Sequence, residues 1–437
     1  LEKKQVVVIG AGFAGLAAAA LLAKKGLELL VLEQSGGAGG RARGSSKDGY
    51  ILDYGPHSFR YAEKSSAAQI LATLGESVEW LKEEHRSWLI KGKELYPVPG
   101  GTEKLSADQK KFFHRPEIEK VKNCLTKLIL EAPEKWYRKT LADFCGEVLK
   151  DDKALLLVRL LGLQLMEPDP GRCSAGEMLM HLRRAYDAGV VSAQLKGGAG
   201  VLIEKMLSAI TTGGGQINYH RRALALNIEK GRVVSVDTSQ GELEPEALVY
   251  AGGLNQFLRI AGAEHFPAKW VRKLKRLEPV SGVAMDFGLR EKVSELMGWL
   301  IEPELGIMGK FPSNLDPSLA PANKQLSSWL IMMPWEKIMD PEAVRLNIHK
   351  LRSTIKRVFP DFFALAEWER ILVMPVMDGA ALTTRQCLPE RPEMQAPSVV
   401  NLFFAGDAVA VPGVSGEIAL RSGIEVSEKC AEFLSGK

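Results

Sequence analysis

Several features are scarce in this sequence, and each scarcity closes off a function class. The five cysteines, at positions 124, 145, 173, 387 and 430, form no C-x-x-C pair, and none of the seven scattered histidines stands at metal-ligand spacing from them. No metal site is expected, and the thiols read as unpaired side chains of a reducing compartment. A strong charge of either sign is also missing: 57 Lys and Arg against 53 Asp and Glu leave a net +4. A nucleic-acid binder concentrates a basic face, so no nucleic-acid partner is expected. No Ser/His/Asp or paired-carboxylate pattern suggests hydrolysis. The apolar run from Val6 to Ala23 is broken by Gly10, Gly12 and Gly15, and reads as neither a signal peptide nor a membrane span. Internal repeats and low-complexity linkers are missing too.

What is present is a chain of 437 residues, 46% hydrophobic and 25% charged, the composition of a globular protein with two or three domains. Gln5 to Ile9 form a continuous β-branched run, as in a strand buried on both faces of a parallel sheet. The run stops at Gly10-Ala11-Gly12-Phe13-Ala14-Gly15. Gly10 permits a tight turn, Gly12 lets the backbone approach a pyrophosphate, and Gly15 lets the next helix pack close to the strand. That helix, Leu16 to Lys25, points its N-terminal amides at the phosphate site. A second strand, Glu28 to Leu32, ends in Glu33-Gln34, with the carboxylate where an acid meets a ribose hydroxyl pair. A glycine motif alone is weak evidence, since glycine turns are common. The strand before it, the helix after it and the acid beyond make it a dinucleotide site, and Glu33 disfavours a 2′-phosphate.

Gly36-Gly37-Ala38-Gly39-Gly40-Arg41-Ala42 follows almost at once, exposing backbone N–H groups and one guanidinium beside the pyrophosphate. With this segment the sequence resembles the flavoprotein superfamily of phytoene desaturases, protoporphyrinogen oxidases and amine oxidases, closest in pattern to the phytoene desaturase-like oxidoreductases. The resemblance implies FAD as cofactor. It also implies that Gly55-Pro56-His57-Ser58, after Asp53-Tyr54, runs along the flavin ring, with His57 as a neighbour of it. As residues alone, these four are equally a plain loop.

The far end of the chain strengthens the resemblance. A buried strand, Val399 to Ala405, leads into Gly406-Asp407, and after Pro412 and Gly413 a helix opens at Gly416-Glu417-Ile418. The family's pattern implies that Asp407 holds a ribityl hydroxyl, that Gly406 lets the cofactor pass, and that the N-terminus of the last helix faces the flavin. Such an end carries partial positive charge and would favour the reduced anion. In the middle, Gly197-Gly198-Ala199-Gly200 and the helix Val201 to Ile210 resemble the segment that re-enters the cofactor domain. A strand Ile217 to Leu226 follows, then Val233 to Val236 and Ala247 to Ala251. By the same resemblance, Ala223 lends main-chain contacts to the adenine, in place of the usual valine, and Ala251-Gly252 returns beside the pyrophosphate or ribose.

The expected fold is therefore α/β (α+β overall). A Rossmann-type FAD-binding domain takes residues 1–75, 191–275 and 391–437. A mixed-sheet substrate domain takes 76–100 and 276–390, with a hairpin from Arg86 to Val98 and strands Val283 to Leu289, Ser327 to Met333 and Ile371 to Val376. A helical cap occupies 101–190. The expected activity is hydride transfer to flavin N5 from a small, largely apolar substrate, as in phytoene desaturase-like dehydrogenation. No catalytic side chain stands out, and His57 is only a neighbour. Alternatives are protoporphyrinogen oxidase-like or amine oxidase-like chemistry, with Lys310 the nearest lysine by region, flavin-dependent isomerisation, or a binding protein like the GDP-dissociation inhibitors. The leucine-rich stretch 154–163 suits a lipophilic tunnel or a plain core. The basic cluster Lys269 to Arg276, carrying Trp270, is compatible with peripheral contact at a membrane. A cytoplasmic location, with or without that contact, completes the reading.

Overall fold

Val6, Val7, Val8 and Ile9 close the first strand, Glu2–Ile9, and all four are buried, the environment that a run without polar alternation demands. The structure, a computed structural model, describes residues 2–54, 58–83, 87–98, 132–149 and 155–436, with scattered positions between 106 and 126. In it Glu2–Ile9 lies between two parallel neighbours, Leu29–Leu32 and Gly241–Tyr250. Gln216–Asn218 extends the sheet beyond Leu29–Leu32. On the other side Gly241–Tyr250 forks. Its last residues pair in parallel with Leu402–Phe404, while its first pair antiparallel with Arg232–Thr238, which in turn pairs with Ala223–Glu229. Five parallel strands from four regions of the chain thus end at one edge, where open α/β sheets bind their ligands.

Three helices pack together around this sheet. Phe13–Lys24 is buried on every side down to Ala23, as an all-apolar helix must be. Gly200–Thr212 and the last helix, Gly416–Leu434, pack against it. The approach of the last helix depends on Gly423, where a Cβ would stand 2.6 Å from the Ala17 Cβ and 2.7 Å from the Ala14 carbonyl oxygen.

The second sheet runs in the order Ala366–Asp378, Val280–Leu289, Gln325–Met333, Ile307–Lys310, Leu300–Glu302, Trp88–Lys91, Glu94–Pro97. Side chains alternate between its two faces. One face, with Met285, Phe287, Trp329 and Ile331, packs on Leu351 and Ile355 of the helix Pro341–Val358. The other carries Ala284, Met308, Leu330, Met332, Leu372 and Met374, and meets Leu160 and Leu163 of the helix Leu155–Gln164.

Several expectations change here. The strand expected over Ile217 to Leu226 is two strands at opposite ends of the sheet path, Gln216–Asn218 and Ala223–Glu229. The crossing between them is pinned by the amides of His220 and Arg221, which donate to Ser35 O and Glu33 O, and His220 turns at φ +54°. The apolar pattern cannot show a crossing made by main chain. The strand expected over Val399 to Ala405 shortens to Leu402–Phe404, because only those residues find a partner in Gly241–Tyr250. Conversely, Ala366–Asp378 runs well beyond Ile371 to Val376, since pairing with Val280–Leu289 continues where the apolar pattern fades. The basic cluster is the helix Ala268–Lys275, but Trp270 is buried, its ring centroid 4.9 Å from that of Phe266 and 5.4 Å from that of Phe404. It anchors the helix to the core and is not presented to a membrane. Among the described residues no helix is long and apolar enough to cross one.

Candidate functional site

Glycines and one acid build the first wall. Gly10 turns at φ +102°, and a Cβ there would stand 3.0 Å from Ala251 O. At Gly15 a Cβ would lie 1.9 Å from Gly10 O, so the helix closes on the turn only because that position has no side chain. Gly12 differs: a Cβ there meets nothing within 4 Å. Its Cα instead faces Gly40, whose own Cβ would stand 3.2 Å from it, and Gly39 N donates to Ala11 O at 2.7 Å. The two glycine segments therefore lie side by side over open space. Glu33, 8% exposed, spans them from below, with its carboxylate accepting from Ala11 N at 3.0 Å and Ser35 N at 2.8 Å. Gln34 is exposed beside it. Ala223 follows the crossing held to Glu33 O, and Ala251 N donates to Ile9 O, so both lie by this edge of the sheet. A Cβ on Gly252 would meet only the Tyr250 side chain.

The C-terminal segment closes the same space. Gly406 stands at φ +154° with nothing within 4 Å of a Cβ, and its amide is held by Ser422 Oγ at 2.8 Å. Asp407 accepts two hydrogen bonds from Arg41, at 2.7 and 2.8 Å, and one from Gly379 N at 2.7 Å. Burial alone would raise its carboxyl, but the guanidinium and these donors hold it below the usual range. Arg41 keeps 44% of its side chain exposed, and its Nη1 also donates to Met377 O at 3.0 Å. Asp378, next to this pair, is pushed up by burial and by the charge of Asp407. Its Oδ2 accepts from Ser415 Oγ at 2.5 Å, and Ser415, at φ +51°, is the strained residue before the last helix.

That helix begins against Phe13: a Cβ on Gly416 would lie 3.6 Å from its ring, which in turn packs on Phe59. Ile418 is buried beside them. The Glu417 side chain does not face the cofactor space. Its carboxylate accepts from Ser66 N, Ser66 Oγ and Arg184 Nη2, which ties the helix start to the helix Ser66–Leu74. The expectation placed its side chain at the cofactor; in the structure the carboxylate is instead directed to Ser66 and Arg184.

Of the loop expected along the flavin, Gly55, Pro56 and His57 lie outside the described residues, as do Arg86 and Cys124 and part of the expected cap. Ser58 is described and joins a group that the sequence did not reveal. Its hydroxyl donates to Glu83 at 2.7 Å and accepts from Lys310 Nζ at 2.9 Å. Lys310 and Glu83 form an ion pair at 2.8 Å with both side chains 6% exposed, and Ser192 Oγ adds a bond to the carboxylate at 2.6 Å. Burial acts to raise the Glu83 carboxyl, but Lys310 and the two hydroxyls bring it below the usual range. Lys310 begins a lateral rung across four strands, pairing with Ser328, which pairs with Asp286, which pairs with Arg370. Arg370 bonds Asp286 at 2.7 Å and also the Asp53 carbonyl, so the charged rung runs beside the expected flavin loop. The next two rungs on this face are uncharged: Met308, Leu330, Ala284 and Leu372, then Met332, Gly282 and Met374. No glycine motif marked these residues, and only strand register brings them together.

Open space over Gly12 and Gly406, a pinned acid at the end of the second strand and a partly exposed Arg41 suit a dinucleotide laid across the strand ends. The family described as flavin containing amine oxidoreductase matches residues 13–431. The chain belongs to that family. It is a flavin oxidoreductase with FAD as its cofactor. The chain is 39% identical to a coproporphyrinogen III oxidase of Bacillus subtilis over 106 residues, which is 23% of this chain and 22% of that one. It is 49% identical to the human all-trans-retinol 13,14-reductase over 70 residues, 16% of this chain and 12% of that protein. These matches span less than a quarter of either relative. An oxidoreductase from Methanosarcina mazei shares the fold at a TM-score of 0.79, with 19% identity over 98% of this chain and 100% of that one. Among the described residues there is no group of side chains able to hold a metal ion, and Cys173, Cys387 and Cys430 are buried thiols outside any disulfide.

Proposed function

We propose that this oxidoreductase dehydrogenates a largely apolar substrate whose carbon skeleton approaches the flavin past the apolar region formed by the two uncharged rungs of the second sheet and the helix Leu155–Gln164. The observation that carries this reading is the row pattern. Met308, Leu330, Ala284 and Leu372, with Met332 and Met374 beyond them, pack with Leu160 and Leu163 directly beside the charged rung, whose Arg370 bonds the Asp53 carbonyl. Methionine is unbranched and polarisable, and it adapts to irregular apolar shapes.

FAD, when bound, supplies N5 as the hydride acceptor. Gly10, Gly12, Gly39, Gly40, Glu33, Arg41, Gly406 and Asp407 would hold its dinucleotide portion. The rest of the chain's work is to orient the donor carbon and exclude water, and a dedicated acid or base is not required for it. Of the substrates named for the two relatives, all-trans-retinol is an apolar polyene, which agrees with this reading, and coproporphyrinogen III is a large tetrapyrrole that also carries carboxylates. A phytoene desaturase-like reaction is its simplest form.

The test is anaerobic mixing of the FAD-loaded protein with phytoene, with coproporphyrinogen III and with the amine putrescine, following the visible flavin absorbance. Bleaching by a lipophilic donor and not by the amine is expected. Bleaching by putrescine alone overturns the proposal.

A further inference from the structure

Interior cations in this protein come with acids. Lys310 has Glu83, Arg370 has Asp286, Arg184 has Glu417 and Arg391 has Glu177. Arg60 has none: among the described residues no carboxylate lies at ion-pair distance from it. Among the described residues its one hydrogen bond runs from Nη2 to the carbonyl of Gln164 at 2.7 Å. That carbonyl ends the helix Leu155–Gln164, whose leucines cover the apolar rungs. A guanidinium has five N–H donors, so four remain.

None of these donors is completely shut off from solvent without a partner. The described buried side-chain nitrogens without a partner belong to Trp270, Trp368 and Arg391, and those of Arg60 are not among them. The residue is half-buried, and withdrawal from water lowers its guanidinium from the ordinary value while Tyr61, Glu83 and Asp378 act in the opposite direction. Those two acids are already engaged, Glu83 with Lys310 and Asp378 with Ser415. Position adds to the argument. Phe59 turns into the cofactor domain against Phe13, so Arg60, the next residue of the strand, turns to the other side, toward the cap. A helix-capping cation would need only the bond to Gln164 O, and a lysine or glutamine would supply it. Four open donors of a planar fork suit a planar anion better.

We propose that Arg60 binds a carboxylate of the substrate, which is then an apolar molecule with an acidic end rather than a hydrocarbon. The inference rests on the apolar-substrate reading above. It assigns the acidic end to the cap side of the site, with the carbon skeleton along the methionine rungs.

The experiment uses the FAD-loaded protein and two probes that share one polyene skeleton, retinoate and retinol, with binding followed by quenching of tryptophan fluorescence. Wild-type protein is expected to bind retinoate roughly tenfold to a hundredfold more tightly than retinol, as a charge-assisted hydrogen bond allows. Arg60→Met should abolish the difference while leaving retinol affinity and flavin content unchanged. Arg60→Lys should keep a reduced preference, which shows that a folded cationic variant behaves as expected. Equal binding of both probes by the wild type overturns the role of Arg60 and leaves the apolar site standing. Binding of neither probe overturns both. Loss of flavin from Arg60→Met would instead assign this cation to the cofactor and overturn the proposal.

Discussion

Arg41 and Asp407, separated by 366 positions in the chain, meet in a two-point ion pair, Nη1 to Oδ2 at 2.7 Å and Nη2 to Oδ1 at 2.8 Å. The contact joins the second glycine segment to the end of the last parallel strand, so the dinucleotide space is closed only when both ends of the chain are in place. Asp407→Asn keeps the shape and removes the charge. It should weaken FAD retention by about tenfold or more, the scale of a lost charge-assisted contact. The pH dependence has a definite sign. The folded carboxyl titrates below its ordinary 3.8, so the stability it contributes is complete above that value and is lost as pH falls through the lower, folded one. Thermal melting of wild type and Asp407→Asn should therefore differ at neutral pH and converge only below about 4. Convergence near neutrality would contradict the assignment.

Asp378 behaves in the opposite sense. Burial and the charge of Asp407 raise its folded pKa above the ordinary 3.8. Ionisation there opposes folding, so stability is lost as pH rises from 3.8 through the folded value. Asp378→Asn can still accept the Ser415 hydroxyl. It should melt above the wild type at neutral pH, and the gain should vanish in acid below 3.8. In an Asp407→Asn background the gain should shrink, because one of its two causes is gone. A gain that persists unchanged in that background means the two carboxyls do not interact.

How much of this was legible beforehand depends on whether a residue's role is local. Gly10, Gly12, Gly15 and Glu33 sit within one strand-turn-helix-strand unit, where each residue type has a local reason to stand at its position, and the structure shows the tight turn at Gly10 and the close approach at Gly15. Asp407 was legible only through its resemblance to a family pattern, and its partner Arg41 was assigned to phosphate alone. Glu83, Lys310 and Arg60 carry no local signature at all. They come together through sheet register and through pairing of the short strands Phe59–Arg60 and Ser192–Leu195, which a one-dimensional pattern does not encode. The split of residues 216–226 into two strands failed for the same reason. Trp270 misled because an amphipathic basic helix looks alike whether its aromatic residue faces lipid or the core.

The buried pair of Lys310 and Glu83 allows a closed test of its own worth. Removing one partner leaves a charge in a site where each side chain is only 6% exposed. Lys310→Met and Glu83→Gln should each cost roughly 3–5 kcal/mol in chemical denaturation, the range for a broken buried pair. The double variant should recover most of that loss, since no unpaired charge remains. Additive losses would show that the two side chains do not interact in solution.

Gly12 and Gly15 separate the two demands that one glycine motif meets. At Gly15 an added methyl would fall 1.9 Å from the Gly10 carbonyl oxygen, which is main chain and cannot move aside without opening the strand-to-helix turn. Gly15→Ala should therefore destabilise the protein even without cofactor, by several kcal/mol and on the order of the larger overpacking costs. At Gly12 the φ of −80° suits any residue and the methyl would enter open space. Gly12→Ala should leave the cofactor-free protein within about 1 kcal/mol of the wild type, a small entropic gain offsetting a slightly poorer N-cap. Its defect should appear only on titration with FAD, because the methyl stands where the pyrophosphate has to approach the main chain. Melting curves of the two apoproteins, set beside flavin binding by fluorescence quenching, distinguish the cases. If Gly12→Ala binds FAD as tightly as the wild type, the open space above that residue is not the path of the cofactor.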